Sequence, residues 1–404
     1  MRWGLLVLAT LTLGGCGWFD FSIAPEPEPE PEIVGGLSFK NLTLRQTNDQ
    51  GELLWQLKAA EAEYKDDRRI VEVKNLTGEL LDQGEPVYKV EAKDVQVQQQ
   101  GDRLVLKGKT TVTDLRDKGT LVADQFTWEG EKDLLRAQDN LNVAYPEAEV
   151  TAEELQADGR KDELRATGKV RVISEEEAVE DLRLTTESLV WQRSQEVLVA
   201  GGEGGGVLVE RLNGDQVGDR ASGEELRWNL ETNRLLFLGD VQVRLQEPDL
   251  MANAEELEWR IDDQELVSDR PVRLNYIAQG IQAQGQRGVM LIGENRAILE
   301  GRVQVNSEAH QAQLQAQSVT WRIPQGEVIG QGSVQINRLG AILRSQQLTW
   351  RIAQQEIVAS GNVFYRQGNP FVQIRGNQAT GWLEEQRVVV TGRVETQILP
   401  PRPN

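Results

Sequence analysis

Along most of the chain, apolar and polar residues alternate with a period of two. In one segment Leu348, Trp350 and Ile352 fall on one face, while Thr349 and Arg351 fall on the other. This period is typical of β-strands that have one buried and one solvated face. No segment of useful length after the N-terminal leader shows the period of about 3.6 residues that marks a helix. The pattern therefore predicts an all-β protein.

The alternating unit recurs about eleven times at separations of 29 to 37 residues, and half of these separations are 31 residues. Its most regular copies read Val-Thr-Trp-Arg-Ile at 319–323 and Leu-Thr-Trp-Arg-Ile at 348–352. The tryptophan position is occupied in turn by Tyr64, Val97, Trp128, Ala157, Trp191, Trp228, Trp259, Met290, Trp321, Trp350 and Gly381. Self-similarity at such a period predicts one small supersecondary unit per repeat, with neighbouring units sharing a core.

Turn residues separate the two alternating runs of each unit. Pro324 and Gly326 fit the second and fourth positions of a type I turn, which joins antiparallel strands. Each unit is therefore predicted to be a hairpin, and the chain to contain about 22 antiparallel strands.

A glycine recurs inside the second strand of most units. These glycines are Gly108, Gly168, Gly239, Gly301, Gly332, Gly361 and Gly392. Interior glycine weakens a flat strand but permits a bulge or a sharp bend. Bends at the same place in every unit would fold the stacked strands into a trough with its apolar faces inside. About 22 strands spaced by about 4.8 Å would extend on the order of 100 Å.

Two sets of apolar residues are predicted to line the inside of this trough. They are the tryptophans Trp128, Trp191, Trp228, Trp259, Trp321 and Trp350, and the valines Val241, Val303, Val334 and Val363. In most β proteins such a column is simply core. The alternative is a ligand groove, which requires the trough to stay open.

The N-terminus predicts an exported, anchored protein. Arg2 and a short apolar run precede Leu13-Gly-Gly-Cys16, which resembles a bacterial lipobox and implies cleavage before Cys16 and its acylation. An ordinary signal peptide is the alternative. Residues 1–16 are assigned to this leader. Residues 17–36 contain an alternating Pro-Glu segment, typical of a stiff extended spacer.

The charge of the chain argues against one class of partner, and the distribution of lysine marks a boundary within the chain. The net charge of −20 and the absence of a basic stripe argue against a nucleic-acid partner. All lysines lie between Lys40 and Lys169, which places a compositional join near residues 170–180. We therefore predict one β unit over 37–175 and a second over 176–400.

No catalytic constellation emerges from the sequence. His310, the only histidine, lies in a polar stretch and is predicted to be a surface residue. The acidic pairs Asp66-Asp67 and Asp262-Asp263 fall in predicted turns. The glycine-rich run at 201–206 lacks the lysine and helix of a phosphate-binding loop. Neither a metal site nor a cofactor is predicted, and the chain is not expected to be an enzyme.

Several local motifs resemble a known family over residues 37–173. The matching segments are Thr47-Asn-Asp-Gln-Gly51, Leu57-Lys-Ala59, Glu63-Tyr64, Pro86-Val-Tyr-Lys-Val-Glu-Ala92, and Leu104-Val-Leu-Lys-Gly108 with Val112. They resemble LptC, the membrane-anchored periplasmic component of lipopolysaccharide export. The later repeats resemble the OstA-type units of LptA.

The resemblance implies an extended open β-jellyroll in the periplasm. Its groove would shield the acyl chains of lipopolysaccharide between an inner-membrane ABC transporter and the outer membrane. The tryptophan and valine columns would then line a lipid groove. The resemblance also implies docking to other β-jellyroll bridge proteins through edge strands.

The chain departs from the typical LptC pattern in two ways. It carries a lipid-anchor motif where the family has a transmembrane helix, and it continues for about 225 residues beyond one jellyroll. The anchor would hold it to a membrane, with the inner membrane favoured. The alternative function is a structural or adhesive β-repeat surface lipoprotein that carries no lipid.

Overall fold

The computed structural model describes residues 37–64, 70–100, 103–145, 148–174, 182–202, 205–214, 216–368 and 371–399. The predicted lipidation site Cys16, the Pro-Glu spacer and the pair Asp66-Asp67 lie outside these residues.

The described residues form 28 β-strands and three 3-10 helices, and they contain no α-helix. The first strands are β1 (Leu37–Thr47), β2 (Leu53–Tyr64), β3 (Ile70–Asp82), β4 (Glu85–Gln100), β5 (Arg103–Asp114), β6 (Thr120–Glu129), β7 (Leu134–Tyr145), β8 (Ala148–Asp158), β9 (Glu163–Ser174) and β10 (Leu182–Gln192). The middle strands are β11 (Val197–Gly201), β12 (Val207–Asn213), β13 (Gln216–Gly223), β14 (Glu225–Asn229), β15 (Arg234–Leu245), β16 (Leu250–Arg260), β17 (Glu265–Ser268), β18 (Val272–Tyr276), β19 (Ile281–Gly285) and β20 (Arg287–Leu291). The last strands are β21 (Arg296–Ser307), β22 (Ala312–Arg322), β23 (Glu327–Arg338), β24 (Ala341–Arg351), β25 (Glu356–Gln367), β26 (Phe371–Trp382), β27 (Arg387–Thr391) and β28 (Glu395–Leu399), and the 3-10 helices are Gly130–Lys132, Arg193–Gln195 and Ile277–Gln279.

All described strands belong to one sheet, in which every pairing is antiparallel. The predicted all-β class and antiparallel hairpins are therefore confirmed. The Ile323 carbonyl accepts from the Gly326 amide at 3.0 Å, which closes the predicted turn around Pro324. The strand number exceeds the predicted 22 because five passes of the chain are each divided into two strands at their bends. Counted as passes, the 28 strands make 23.

Six of the seven predicted bend glycines are followed by a second residue with left-handed backbone. At Gly239 φ is +72° and at Asp240 it is +43°, and the pairing of β15 with β16 skips both residues. Glycine adopts this region without a Cβ penalty, which accounts for its recurrence at the first position. Positive φ also occurs at the other six predicted bend glycines. Bends also form without glycine, as at Asp139 and Asn140.

The bends divide the sheet into two walls. β16 spans both, because its residues 258–260 pair with β17 and its residues 250–254 pair with β18. Wall A carries the tryptophan positions and ends at the hairpin turns that follow them, such as 323–326. Wall B ends at the opposite turns, such as 308–311. We call these two ends rim A and rim B.

A single apolar core runs between the walls. Its buried side chains extend without interruption from Leu54 on β2 to Leu383 beyond β26. The core also crosses the compositional join, where β9 pairs with β10 from Arg183 opposite Ile173 onward. The division into units at 175 and 176 stays a prediction, since the sheet continues across it.

Candidate lipid-binding interior

The predicted lining residues lie inside this core. Trp259 and Trp350 are fully buried, and so is Val303. Trp128, Trp228, Trp321, Val241, Val334 and Val363 are also buried, while Trp191 is partly buried against the same cluster. Whether these side chains contact lipid stays a prediction, because a buried core residue and a groove residue occupy the same positions here.

The tryptophans of wall A meet a second row of side chains on wall B. Four pairs are edge-to-face rings and one is a guanidinium over an indole. With their centroid distances they are Tyr88–Trp128 at 5.4 Å, Tyr145–Trp191 at 5.2 Å, Tyr276–Trp321 at 5.6 Å, His310–Trp350 at 5.6 Å and Arg211–Trp259 at 5.0 Å. These contacts join rim A to rim B along the length of the bent sheet, which we call the roll. We call this line the seam.

Near the N-terminus the seam also contains a cluster of charged groups. Arg116 on rim B pairs with Asp133 on rim A at 3.0 Å and with Asp114 at 3.0 Å. Arg193 on rim A reaches back to Asp114 at 3.4 Å. Burial raises the pKa of Asp133, against the lowering effect of Arg116. Because the Asp114 and Asp133 side chains are each only 5% exposed, both carboxylates depend on these arginines.

Tyr88 joins this cluster to the aromatic row. Its hydroxyl accepts a hydrogen bond from the Arg116 guanidinium, and its ring packs on Trp128. Burial, together with the Asp114 carboxylate, raises the pKa of Tyr88 far above its ordinary value. The hydroxyl therefore stays neutral and serves as a fixed polar group within the seam.

The indole N–H groups of the tryptophan column fall into two classes. Trp128 donates to the Leu54 carbonyl and Trp228 donates to the Asn233 side chain, each at 3.3 Å. The buried indole nitrogens of four other members, Trp191, Trp259, Trp321 and Trp350, have no acceptor in the described part of the chain. Trp55, on β2, is a further buried indole without an acceptor.

The interior is filled along its middle and opens near its C-terminal end. An apolar space between β15 and β21, lined by residues such as Val243, Leu257 and Leu299, has a volume of about 20 Å³. A larger pocket of about 140 Å³ lies among β23 to β27. Its floor includes Ile336, Leu343, Ile357, Leu383 and Val388, and its edge includes Arg338 and Arg387.

Both ends of the sheet carry strands that pair on one side only. β1 pairs with β2, and β27 and β28 both pair with β26, with no other partner among the described strands. Apolar side chains stand exposed at both ends: Phe39 is 41% exposed and Ile398 is 64% exposed. Such edges offer free backbone groups for pairing with another strand.

One prediction about a single residue needs correction. His310 was predicted at the surface but is half-buried, because its ring packs on Trp350 and its Nδ1 lies 3.0 Å from the Ser307 hydroxyl. Trp382 follows Gly381, which occupies the tryptophan position of the last repeat, and lies outside the core with Arg387 over its ring at 4.1 Å. Asp262 and Asp263 are exposed in a turn, as predicted.

The seam partners on wall B were not singled out from the sequence. Tyr88, Tyr145, Tyr276 and His310 precede their tryptophans by 40 to 46 residues. This recurring separation is the signal that could have indicated them. Within the described part of the chain, no cluster of His, Cys, Asp and Glu suited to a metal ion was found. No helix in that part is long and apolar enough to span a bilayer.

Comparisons with known proteins bear on the N-terminal part first. Residues 5–191 match a family model described as LptC: Lipopolysaccharide-assembly, LptC-related. This match includes all of the residues that carry the predicted resemblance. No curated protein matches the chain.

Among solved structures, the chain is similar to LptH of Pseudomonas aeruginosa, described as the LptA homologous periplasmic component of the conserved lipopolysaccharide transport device. The two share 16% identity, and the match covers 28% of this chain and 76% of LptH, with a TM-score of 0.24. The family match confirms the predicted LptC-like character in one respect: residues 5–191 are similar to the LptC-related family of lipopolysaccharide assembly.

Proposed function

We propose that this chain is a periplasmic carrier that shields the acyl chains of lipopolysaccharide between its two walls. The single observation that carries the proposal is the uninterrupted apolar core from Leu54 to Leu383, which runs the length of an LptC-related roll. An acyl chain gains free energy wherever it leaves water for such an interior. On this view the chain is not an enzyme and acts by shielding its cargo.

The lipid would enter by parting the seam. The walls are covalently joined only at the bends, whereas rim A and rim B meet through side chains. The pocket near Ile336 and Leu343 supplies an existing apolar opening, and Arg338 and Arg387 at its edge suit the phosphates of a lipid headgroup. An acyl chain could therefore replace wall-to-wall contacts with its own.

The two sheet edges suit a relay. We expect β1 to face the side from which lipid arrives, at an inner-membrane ABC transporter, and the β27–β28 edge to dock another β-jellyroll protein by strand pairing. Acylation of Cys16 would tether the chain to the membrane, with the inner membrane favoured. Replacing Cys16 with serine should release the protein from the membrane fraction and abolish labelling by a radioactive fatty acid.

Site-specific photo-crosslinking tests the carrier directly. A photoreactive phenylalanine derivative at Trp321 or Trp350, whose side chains are buried, should capture lipopolysaccharide in cells. The same group at Arg351, whose side chain is 42% exposed on the outer face of the same strand, is the matched control. Adducts at Arg351 without adducts at the tryptophans would refute the proposal.

A structural or adhesive lipoprotein is the second candidate. The observation that favours it is the filled interior, in which the space near Val243 holds only about 20 Å³. This candidate predicts no lipid adducts at any interior position. It also predicts unchanged surface lipopolysaccharide when the protein is depleted, whereas the carrier predicts a loss.

A further inference from the structure

Four buried indole donors recur at one position of the repeat. They belong to Trp191, Trp259, Trp321 and Trp350, and none has an acceptor among the residues that the structure describes. A buried tryptophan N–H ordinarily finds a hydrogen-bond partner, because leaving it unpaired in an apolar interior is unfavourable. One such donor is a local packing feature. Four at the same repeat position form a row of donors along wall A.

The same column shows that an acceptor can be supplied there. Trp128 donates to the Leu54 carbonyl, and Trp228 donates to the Asn233 side chain. These two indoles therefore have their hydrogen bonds within the fold. The other four differ from them in lacking an acceptor, while the rings occupy equivalent positions near rim A. This contrast separates the role of the ring from the role of its N–H group.

The surroundings of the row restrict what the acceptor can be. On the seam side the rings are covered by Tyr145, Arg211, Tyr276 and His310. On the other sides they belong to the apolar core. An ordered buried water would need two to four polar partners, and on the core sides of the rings the neighbours are apolar. The site suits a single carbonyl oxygen attached to an apolar body.

We propose that these four indole N–H groups donate to the ester or amide carbonyls of acyl chains that enter along the seam. The inference rests on the proposed function and extends it, since it assigns the lipid-linkage chemistry to named donors. The linkage carbonyls of an acylated lipid lie where its chains join the headgroup. Because these tryptophans lie close to rim A, their N–H groups would meet the linkage carbonyls there while the acyl chains extend into the core. The row would thus distinguish acyl linkages from ether linkages.

The test uses the purified mature chain with nitrogen-15-labelled tryptophan. The probes are a myristoyl lysophosphatidylcholine and its ether-linked tetradecyl counterpart, which has a similar tail but no carbonyl. On adding the ester lipid, the indole N–H resonances of Trp191, Trp259, Trp321 and Trp350 should move downfield. Those of Trp128 and Trp228 should stay, because their acceptors are internal. The ether lipid should leave all six without the downfield shift.

Affinity measurements provide a second readout. Trp321→Phe or Trp350→Phe keeps an aromatic ring and removes the donor, so the dissociation constant for the ester lipid should rise about fivefold, equivalent to about 1 kcal/mol. The matched variants Trp128→Phe and Trp228→Phe lose the same volume but no unpaired donor, so they should change the constants for the ester and the ether lipid by the same factor. The constant for the ether lipid should be the same in all four variants.

The outcomes separate this inference from the function on which it rests. If both lipids bind equally and no indole resonance shifts downfield, the donor row is refuted while the carrier function stands. If all four tryptophan variants weaken binding alike, only the ring matters and the inference is again refuted. If neither the lysolipids nor lipopolysaccharide binds, the proposed function fails, and this inference fails with it.

Discussion

The seam is closed by different chemistry at the two ends of the roll. Between Tyr88 and Arg193 the rims are joined by buried ion pairs as well as rings. Beyond residue 265 the described contacts across the seam are ring on ring, as in Tyr276–Trp321 and His310–Trp350. Buried charges hold one geometry because each depends on its partners, whereas ring contacts can separate with little loss. The comparison suggests a firm N-terminal seam and a C-terminal seam that opens more readily.

The position of the open pocket agrees with this contrast. The space of about 140 Å³ lies among β23 to β27, in the part of the roll where rings close the seam. Each of the following predictions changes one side of the comparison. Free energies of unfolding from urea titration are the common measurement.

The largest effect is expected from the charged seam. Arg193→Ala removes a side chain that is 11% exposed and leaves Asp114 without one of its two arginines. Removing one member of a buried ion-pair cluster costs about 3–5 kcal/mol because the remaining charge stays desolvated. Arg351→Ala is the control, since its pairs with Glu356 and Glu327 are exposed and worth less than about 1 kcal/mol. Equal losses in both variants would remove the basis for a firm N-terminal seam.

The bends provide the next test. Gly108 has φ of +134°, and a Cβ there would lie 2.7 Å from the Asp94 carbonyl oxygen, a backbone atom that cannot move aside. Gly332 has φ of +74°, and a Cβ there would meet the end of the flexible Gln317 side chain. Gly108→Ala should therefore cost about 3 kcal/mol and Gly332→Ala about 1 kcal/mol.

Gly368→Ala is the control for the bends, because φ there is ordinary and a Cβ would meet no atom within 4 Å. It should be neutral or slightly stabilising, since alanine restricts the unfolded chain. If Gly332→Ala lowers the free energy of unfolding as much as Gly108→Ala does, the bend at Gly332 is as tightly packed as the bend at Gly108. That result would contradict the view of a more adaptable C-terminal region.

The ring-closed seam should respond more weakly than the charged one. Tyr276→Leu keeps an apolar side chain on wall B but removes the edge-to-face contact with Trp321. Such a contact contributes about 0.5–1.5 kcal/mol beyond its buried area. The free energy of unfolding should fall by about 1 kcal/mol, and lipopolysaccharide adducts at Trp350 should not decrease. Fewer adducts would mean that closure of the seam aids lipid capture.

Local sequence patterns predicted the strands, the hairpins and the burial of the tryptophans. Period-two alternation and a turn such as Pro324 to Gly326 act through near neighbours, so one segment suffices to recognise them. The seam partners depend on how the two walls fold onto each other. Tyr276 contacts Trp321, which lies 45 residues further along the chain, and Arg116 on rim B pairs with Asp133 on rim A. No local pattern determines which residues meet across the seam.

The count of strands was wrong for a related reason. The sequence shows where a glycine permits a bend, but not whether the pairing survives on both sides of it. At Gly332 one strand, β23, continues through the bend. Between β17 and β18 the bend carries Arg270 and Pro271, and proline has no amide to donate to a neighbouring strand. That pass therefore divides in two.

The smallest effect should come from acid acting on the C-terminal seam. Burial and the nearby Arg338 lower the pKa of His310 below its ordinary value of 6.5, so the folded state favours the neutral ring packed on Trp350. Its contribution to stability is present above pH 6.5 and is lost as the pH falls through the lowered pKa, because protonation then favours the unfolded chain. His310→Phe keeps a ring against Trp350 and removes the titration. From about pH 8 to about pH 5 the parent chain should lose more free energy of unfolding than the variant, since all other titrating groups are shared. Parallel pH profiles would show that this part of the seam does not respond to protonation of His310.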